Sequence, residues 1–190
     1  MPVAGGTRPA SGFDAKIARW VGGFPLRPPK SAVLVGGSGG KWRRLAPVFL
    51  GEFQHALDDK GRLIIPARFR DGLGERFIVT RGLDQCLFAY PQAEWQVLES
   101  RLKSLPLTKA DARAFVRFLF SGAYECEPDR QGRIMLPAGL RQYAGLEKDV
   151  AVIGVSTRVE IWAAERWAGY VAKAGESFGQ IAENLEGLGL

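Results

Sequence analysis

The sequence is poor in the side chains that most often bind metal ions or form catalytic pairs. Its 190 residues include two cysteines, Cys86 and Cys126, and one histidine, His55. Their spacing forms neither a zinc site nor a Cys–His catalytic pair, and reduced thiols in a cytoplasmic protein are the simplest interpretation. We therefore expect no metal site and no cofactor.

Long apolar runs are also absent. No stretch approaches the roughly 20 apolar residues that are needed to span a bilayer. The early basic region and the continuous apolar region of a signal peptide are missing as well. Hydrophobic residues nevertheless make up 46% of the chain, which is enough to fill a core. We expect a soluble globular protein that does not associate with membranes.

Acidic residues are fewer than basic ones. Lys and Arg number 26 against 20 Asp and Glu, and the net charge of +6 mildly favours a polyanionic partner. Residues 1–47 are dense in glycine and proline, their apolar residues are scattered, and nearly all of their charges are basic. This composition is typical of disorder, so we predict that residues 1–47 form a disordered tail.

What the sequence does contain is an internal duplication. The 22 residues Phe49–Arg70 align without a gap on Phe120–Arg141, 71 positions later. We predict two equivalent units, residues 48–119 and 120–190, related by a pseudo-twofold internal repeat. Eight positions are identical in the two copies: Phe49/Phe120, Gly51/Gly122, Asp58/Asp129, Gly61/Gly132, Arg62/Arg133, Pro66/Pro137, Ala67/Ala138 and Arg70/Arg141.

Each unit opens with a strand, a glycine-containing turn and a second strand that stops at a proline. In the first unit a strand from Glu52 to Leu57 leads into the turn Asp58–Gly61, and the strand Arg62–Ile65 ends at Pro66. This pattern predicts a β-hairpin with charged residues at its tip. Short helices, further strands and longer helices follow in both units, which indicates an α+β fold.

The conserved centre of both copies is the turn Asp-x-x-Gly-Arg. The aspartate can accept backbone N–H bonds across the turn, and the glycine supplies a positive φ. The arginines have two compatible interpretations. Arg62 and Arg133 pair with the turn aspartates and stiffen each tip, or the guanidiniums so held bind phosphate oxygens or the O6/N7 edge of guanine. Four residues are predicted to orient the turns: Asp58, Asp129, Gly61 and Gly132.

Further cations surround the turns. Lys60 precedes Gly61, and Arg130 lies two positions before Gly132. Repeated basic turns suit a repeated polyanion such as double-stranded DNA, because each neutralised phosphate releases counterions. The predicted DNA-binding residues are Arg62, Arg133, Lys60 and Arg130.

From about Val48 to Leu185 the chain resembles the MraZ family, bacterial transcriptional regulators of the division and cell wall gene cluster that are built from two SpoVT/AbrB-like units. The resemblance implies a duplicated AbrB-like swapped-hairpin β-barrel with flanking helices, a ring-shaped homo-oligomer, and binding to G-rich direct repeats in the protein's own promoter. It places the paired turn residues of the family on Asp58, Arg62, Asp129 and Arg133. The segments that carry it are Phe49–Phe53, Asp58–Leu63, Ile65–Ala67, Phe120–Gly122, Asp129–Arg133 and Leu136–Pro137.

We therefore predict a sequence-specific DNA-binding regulator, an autorepressor of that gene cluster, which is cytoplasmic, nucleoid-associated and not an enzyme. The alternative is an AbrB-type protein that acts broadly on the nucleoid or as an antitoxin-like repressor. Paired carboxylates as in glycoside hydrolysis are disfavoured, since aspartates in glycine turns are usually solvated. One subunit offers few base contacts, each worth roughly 1 to 3 kcal/mol, and selection against a genome then requires a homo-oligomer.

The segment before Val48 suggests a further hypothesis. A GUG codon at Val48 is a usable bacterial start, and residues 1–47 would then be upstream DNA that is read as protein. Ser38–Trp42 can be encoded AGT GGG GGN AAG TGG, in which GTGGG and GTGG start about 10 bases apart, or roughly one helical turn of DNA. We hypothesise that this peptide is the translated operator.

Overall fold

The computed structural model describes residues 34–36, 42–44 and 47–184. Two short strands, β1 (Leu34–Gly36) and β2 (Trp42–Arg44), pair in antiparallel orientation within the predicted tail. Apart from Pro47, the rest of that tail lies outside the described residues, as does the peptide of the operator hypothesis except for Trp42.

Both repeats have the order strand, strand, helix, strand, strand, helix, with one further helix at the end of the first repeat, and the α+β class is confirmed. Pro66 and Pro137 each stand directly before a short helix, where their restricted φ suits the helix entrance. No helix within residues 47–184 is long and apolar enough to cross a membrane. The elements are β3 (Phe49–Ala56), β4 (Arg62–Ile64), α1 (Ala67–Leu73), β5 (Phe77–Arg81), β6 (Leu87–Pro91), α2 (Gln92–Lys103), α3 (Ala110–Ser121), β7 (Tyr124–Cys126), β8 (Arg133–Met135), α4 (Ala138–Ala144), β9 (Asp149–Ser156), β10 (Arg158–Ala163) and α5 (Ala164–Asn184).

The main sheet is built by exchange of strands between the repeats. It is antiparallel and six-stranded, in the order β3-β9-β10-β6-β5-β7. Strand β3 of the first repeat pairs with β9 of the second, and β7 of the second repeat pairs with β5 of the first. Strands β6 and β10 pair at the centre. Interchanging equivalent strands reproduces the same order in reverse, so the sheet carries the pseudo-twofold relation of the sequence.

The predicted hairpins have the expected turns, but the prediction of their strand pairing was wrong. Across the first turn the described residues form a single β-bridge, between Leu57 and Leu63, and β4 pairs instead with β8. Pro66 and Pro137 end β4 and β8 early, whereas the eight-residue β3 finds a full-length partner in β9. The main sheet of the described residues ends at β3 and β7, so the swapped-hairpin barrel stays a prediction.

The two-stranded β4–β8 ribbon has one buried face and one exposed face. Leu63 and Ile134 lie opposite each other and are 0% and 1% exposed. Both belong to a single core cluster that also contains residues of the main sheet and of helices from both repeats. The repeats therefore share one hydrophobic core, which anchors the ribbon by its inner face and leaves its outer face to solvent.

Candidate functional site

The first turn is closed around the carboxylate of Asp58. Its Oδ1 accepts the backbone N–H groups of Lys60 and Arg62 at 3.0 and 2.9 Å, and its Oδ2 accepts Nε of Arg62 at 2.6 Å. Gly61 has a φ of +76° and donates its N–H to the Asp58 carbonyl at 2.8 Å. One aspartate thus shapes the backbone of the turn and orients the arginine that follows it.

The second turn repeats this arrangement. Oδ1 of Asp129 accepts the N–H groups of Gln131 and Arg133 at 2.8 and 3.0 Å. Its Oδ2 binds the Arg133 guanidinium at two nitrogens, Nε at 2.8 Å and Nη2 at 2.6 Å. Gly132 has a φ of +75°. The two turns therefore hold their arginines in closely similar ways.

Hydrogen bonding keeps both turn carboxylates ionised. The backbone N–H of Arg62 is the main cause of the lowered pKa of Asp58, and the Arg62 side chain lowers it further. The side chain of Arg133 is the main cause of the fall in the pKa of Asp129 to about 2. The Arg62 and Arg133 side chains are still 30% and 26% exposed, so each remains open to a second anion.

The β4–β8 ribbon brings the two arginines onto one surface. Its register sets Arg62 opposite Met135 and Ile64 opposite Arg133, all on the face away from the core. Arg62 and Arg133 are therefore diagonal neighbours across the ribbon, and residues in such positions are about 7–8 Å apart. Ile64 and Met135 are 40% and 46% exposed between the guanidiniums. The outer face is therefore an apolar pair flanked by two oriented cations, and we call it the ribbon face.

Lys60 and Arg130 are exposed in the two turns. Because β4 and β8 run antiparallel and each begins directly after its turn, the turns lie at opposite ends of the ribbon. Lys60 and Arg130 therefore extend the positive charge of the ribbon face in opposite directions. Such an arrangement is suited to an elongated anion.

Two arginines that were not among the predicted site residues also contact the turns. Arg70 donates Nε to the Ile65 carbonyl at 2.7 Å, and its guanidinium lies against Gly132 of the other repeat. Arg141 donates Nε to the Leu136 carbonyl at 3.1 Å and lies against Gly61. Arg70 and Arg141 are one of the eight identical pairs of the duplication, which was the signal available in the sequence.

The cysteines, the histidine and the other acidic residues are the remaining side chains that could bind a metal ion or act as nucleophiles. Within the described part of the chain, no group of three or more His, Cys, Asp or Glu side chains could hold a metal ion. Cys86 and Cys126 are buried and free of disulfides, and burial raises the pKa of both thiols, that of Cys126 to about 12. Burial also lowers the pKa of His55, aided by nearby Arg70. The ribbon face is thus the strongest candidate for function.

Comparison with known proteins points to one family. The model of the family described as "MraZ protein, putative antitoxin-like" matches residues 48–118 and again residues 119–187. The protein named Transcriptional regulator MraZ from Desulforamulus reducens is 67% identical over 138 residues, which cover 73% of this chain and 97% of that protein. The proteins of the same name from Pelotomaculum thermopropionicum and Syntrophomonas wolfei are 62% and 58% identical over 143 residues, 75% of this chain and 99% and 100% of theirs. The predicted resemblance is confirmed, and the chain belongs to the MraZ family.

Proposed function

We propose that this protein is a sequence-specific DNA-binding transcriptional regulator and that the ribbon face is its reading surface. The observation that carries the proposal is the position of Arg62 and Arg133, each held by an ionised aspartate, on the exposed face of one antiparallel ribbon. The relatives bear the name of a transcriptional regulator, which is consistent with this role.

The dimensions of the ribbon suit the major groove of DNA. Two strands about 5 Å apart, each rising about 3.4 Å per residue, form an element narrower than the groove width of about 12 Å. Two-stranded ribbons are established readers of that groove. An arginine guanidinium fits the O6 and N7 atoms of guanine bidentately, and apolar side chains such as Ile64 and Met135 suit the methyl group of thymine.

The turns supply contacts to the DNA backbone. Lys60 and Arg130 extend from opposite ends of the ribbon, where they meet phosphates while the arginines between them meet bases. The aspartates of the turns are already engaged by their own arginines, which reduces their repulsion of the DNA. In this arrangement base contacts confer specificity and the turn cations confer salt-dependent affinity.

The biological target that we propose is the protein's own promoter. In that promoter the protein would bind G-rich direct repeats upstream of the division and cell wall gene cluster. Its binding would repress the operon. One ribbon face spans only a few base pairs, so selection against a genome requires several copies, and we propose a ring-shaped homo-oligomer in the cytoplasm, associated with the nucleoid.

The test is binding of the full chain to the duplex upstream of its own gene and to a scrambled duplex, measured by fluorescence anisotropy over a salt series. We expect tight binding to the promoter duplex only. Arg62→Ala and Arg133→Ala should each weaken it by about 5- to 150-fold, as loss of a base contact worth roughly 1–3 kcal/mol implies. Arg101→Ala, which removes an exposed cation from α2, is the matched control and should change little.

The second candidate function is the broad nucleoid-associated or antitoxin-like role, and the description of the matching family as antitoxin-like favours keeping it. Equal affinity for the promoter and scrambled duplexes would support this alternative. If the protein binds neither duplex at low salt, the two arginines only stiffen their turns and the DNA-binding proposal is wrong.

The origin of the tail has a separate test. Our hypothesis of a translated operator requires codons for Ser38–Trp42 that preserve two G-rich repeats about one helical turn apart. The gene sequence decides this point, since AGC, GGC or AAA at the critical codons breaks the repeat. Footprinting on that DNA would then show whether the ribbon face protects it.

A further inference from the structure

We infer that Arg70 and Arg141 are crossed positioning residues, each of which holds the DNA-reading turn of the other repeat. The inference rests on the proposed function, since it concerns how the turns are presented to DNA. It rests equally on a contact that occurs twice in the molecule: Arg141 of the second repeat lies against the first turn, and Arg70 of the first repeat lies against the second turn.

Arg141 of the second repeat supports the first turn. Its Nε donates to the Leu136 carbonyl at 3.1 Å, and the Leu136 N–H donates to the Gly61 carbonyl at 3.1 Å. A Cβ atom placed on Gly61 would lie 2.7 Å from Cζ of Arg141, well inside the ordinary contact distance of carbon atoms, about 3.5–4.0 Å. The absence of a side chain at Gly61 therefore lets the guanidinium pack directly against the turn backbone.

Arg70 of the first repeat supports the second turn in the same way. Its Nε donates to the Ile65 carbonyl at 2.7 Å, and the Ile65 N–H donates to the Gly132 carbonyl at 2.9 Å. The Arg70 guanidinium occupies the space that a side chain on Gly132 would need. The glycines thus have two roles, a positive φ for the turn and room for the opposite arginine.

The contact reaches the reading arginines through one peptide bond. Gly61 directly precedes Arg62, and Gly132 directly precedes Arg133. A guanidinium packed on the glycine limits how far the turn can move, so less conformational freedom is lost when the arginine binds DNA. Because each support comes from the other repeat, the two turns are also held at a defined separation.

A direct role in DNA binding is the main competing explanation, because Arg70 and Arg141 are only half-buried. Substitution by lysine separates the two roles. Lysine keeps the positive charge that a phosphate contact needs, but it lacks the planar fork that packs on the glycine and bonds the carbonyl. A phosphate-binding arginine should therefore tolerate this change better than a positioning arginine.

The test is a crossed set of double-mutant cycles on promoter binding by the full chain. Arg141→Lys should weaken binding within the roughly 2- to 150-fold range spanned by coupling between contacting residues. In an Arg62→Ala background, where the supported arginine is already absent, Arg141→Lys should cause little further loss of affinity. In an Arg133→Ala background the loss should be undiminished, and Arg70→Lys should show the opposite pattern.

Gly61→Ala provides a second variant that disturbs the same contact from the turn. Circular dichroism and the unfolding midpoint establish that each variant is folded at the assay temperature. If the lysine variants lose affinity equally in both backgrounds, or couple to the turn of their own repeat, the crossed arrangement has no positioning role. If Arg62→Ala and Arg133→Ala leave binding unchanged, the proposed function itself is wrong and this inference fails with it.

Discussion

Replacing Gly61 by alanine perturbs two constraints on the first turn, the positive φ of Gly61 and its contact with Arg141. Gly61 has a φ of +76°, a region that costs a residue with a side chain roughly 1–2 kcal/mol. The new methyl group would also lie 2.7 Å from Cζ of Arg141 and push the guanidinium away. Loss of the half-buried Arg141–Leu136 hydrogen bond adds about 1 kcal/mol, while the stiffer unfolded chain returns about 0.4–1 kcal/mol.

The expected result is a decrease of about 1–3 kcal/mol in the free energy of unfolding. The assay is equilibrium unfolding in urea, followed by tryptophan fluorescence. Gly139→Ala is the matched control, because Gly139 lies inside α4, has an ordinary φ and has no atom within 4 Å of the added methyl. Alanine there should stabilise the protein by about 0.5–1 kcal/mol.

The Arg141→Ala background separates the two contributions. With the guanidinium removed, Gly61→Ala should lose the part of its cost that comes from the clash and keep the part that comes from φ. An unchanged cost in that background would refute the packing of Arg141 on Gly61. A neutral Gly61→Ala in the wild-type chain would refute the whole description of the turn.

The other predictions concern the ribbon, the turn carboxylate and the thiols. Leu63→Ala should lower the free energy of unfolding by about 2–5 kcal/mol because Leu63 is buried, whereas Ile64→Ala on the exposed face should cost below about 1 kcal/mol in the same urea assay. The pKa of Asp129 is about 2, below its ordinary value of 3.8, so its stabilising effect is complete above pH 3.8 and is lost as the pH falls through about 2. A carboxyl chemical shift of Asp129 that titrates near 4 would contradict this. Buried Cys86 and Cys126 should react with a thiol reagent only after unfolding, and rapid reaction of the native protein would show that they are accessible.

Several elements could be predicted from local sequence because local chemistry determines them. The Asp-x-x-Gly-Arg turns form where an aspartate can accept neighbouring N–H groups and a glycine takes a positive φ. Helix α1 begins directly after Pro66, whose restricted φ suits a helix entrance. Such features depend on residues a few positions apart, so a single copy of the motif was informative and its duplication more so.

The strand partners could not be predicted in this way. Joining β3 and β4 into a hairpin was the local solution, yet β3 pairs with β9 and β4 with β8. The choice depends on which pairing gives β3 a full-length partner and buries both Leu63 and Ile134 in one core. That comparison involves segments some 70 to 100 residues apart, and short-range patterns carry no information about it.

The sequence by itself determined the duplication, the shape of each turn, the arginines that the turns carry and the family to which the chain belongs. Only the tertiary structure decided that both arginines share one exposed face and that Arg70 and Arg141 support the turns of opposite repeats. The physical reason is that a turn is closed by hydrogen bonds among neighbours in the chain. A shared surface arises only when the two repeats exchange strands around a common core.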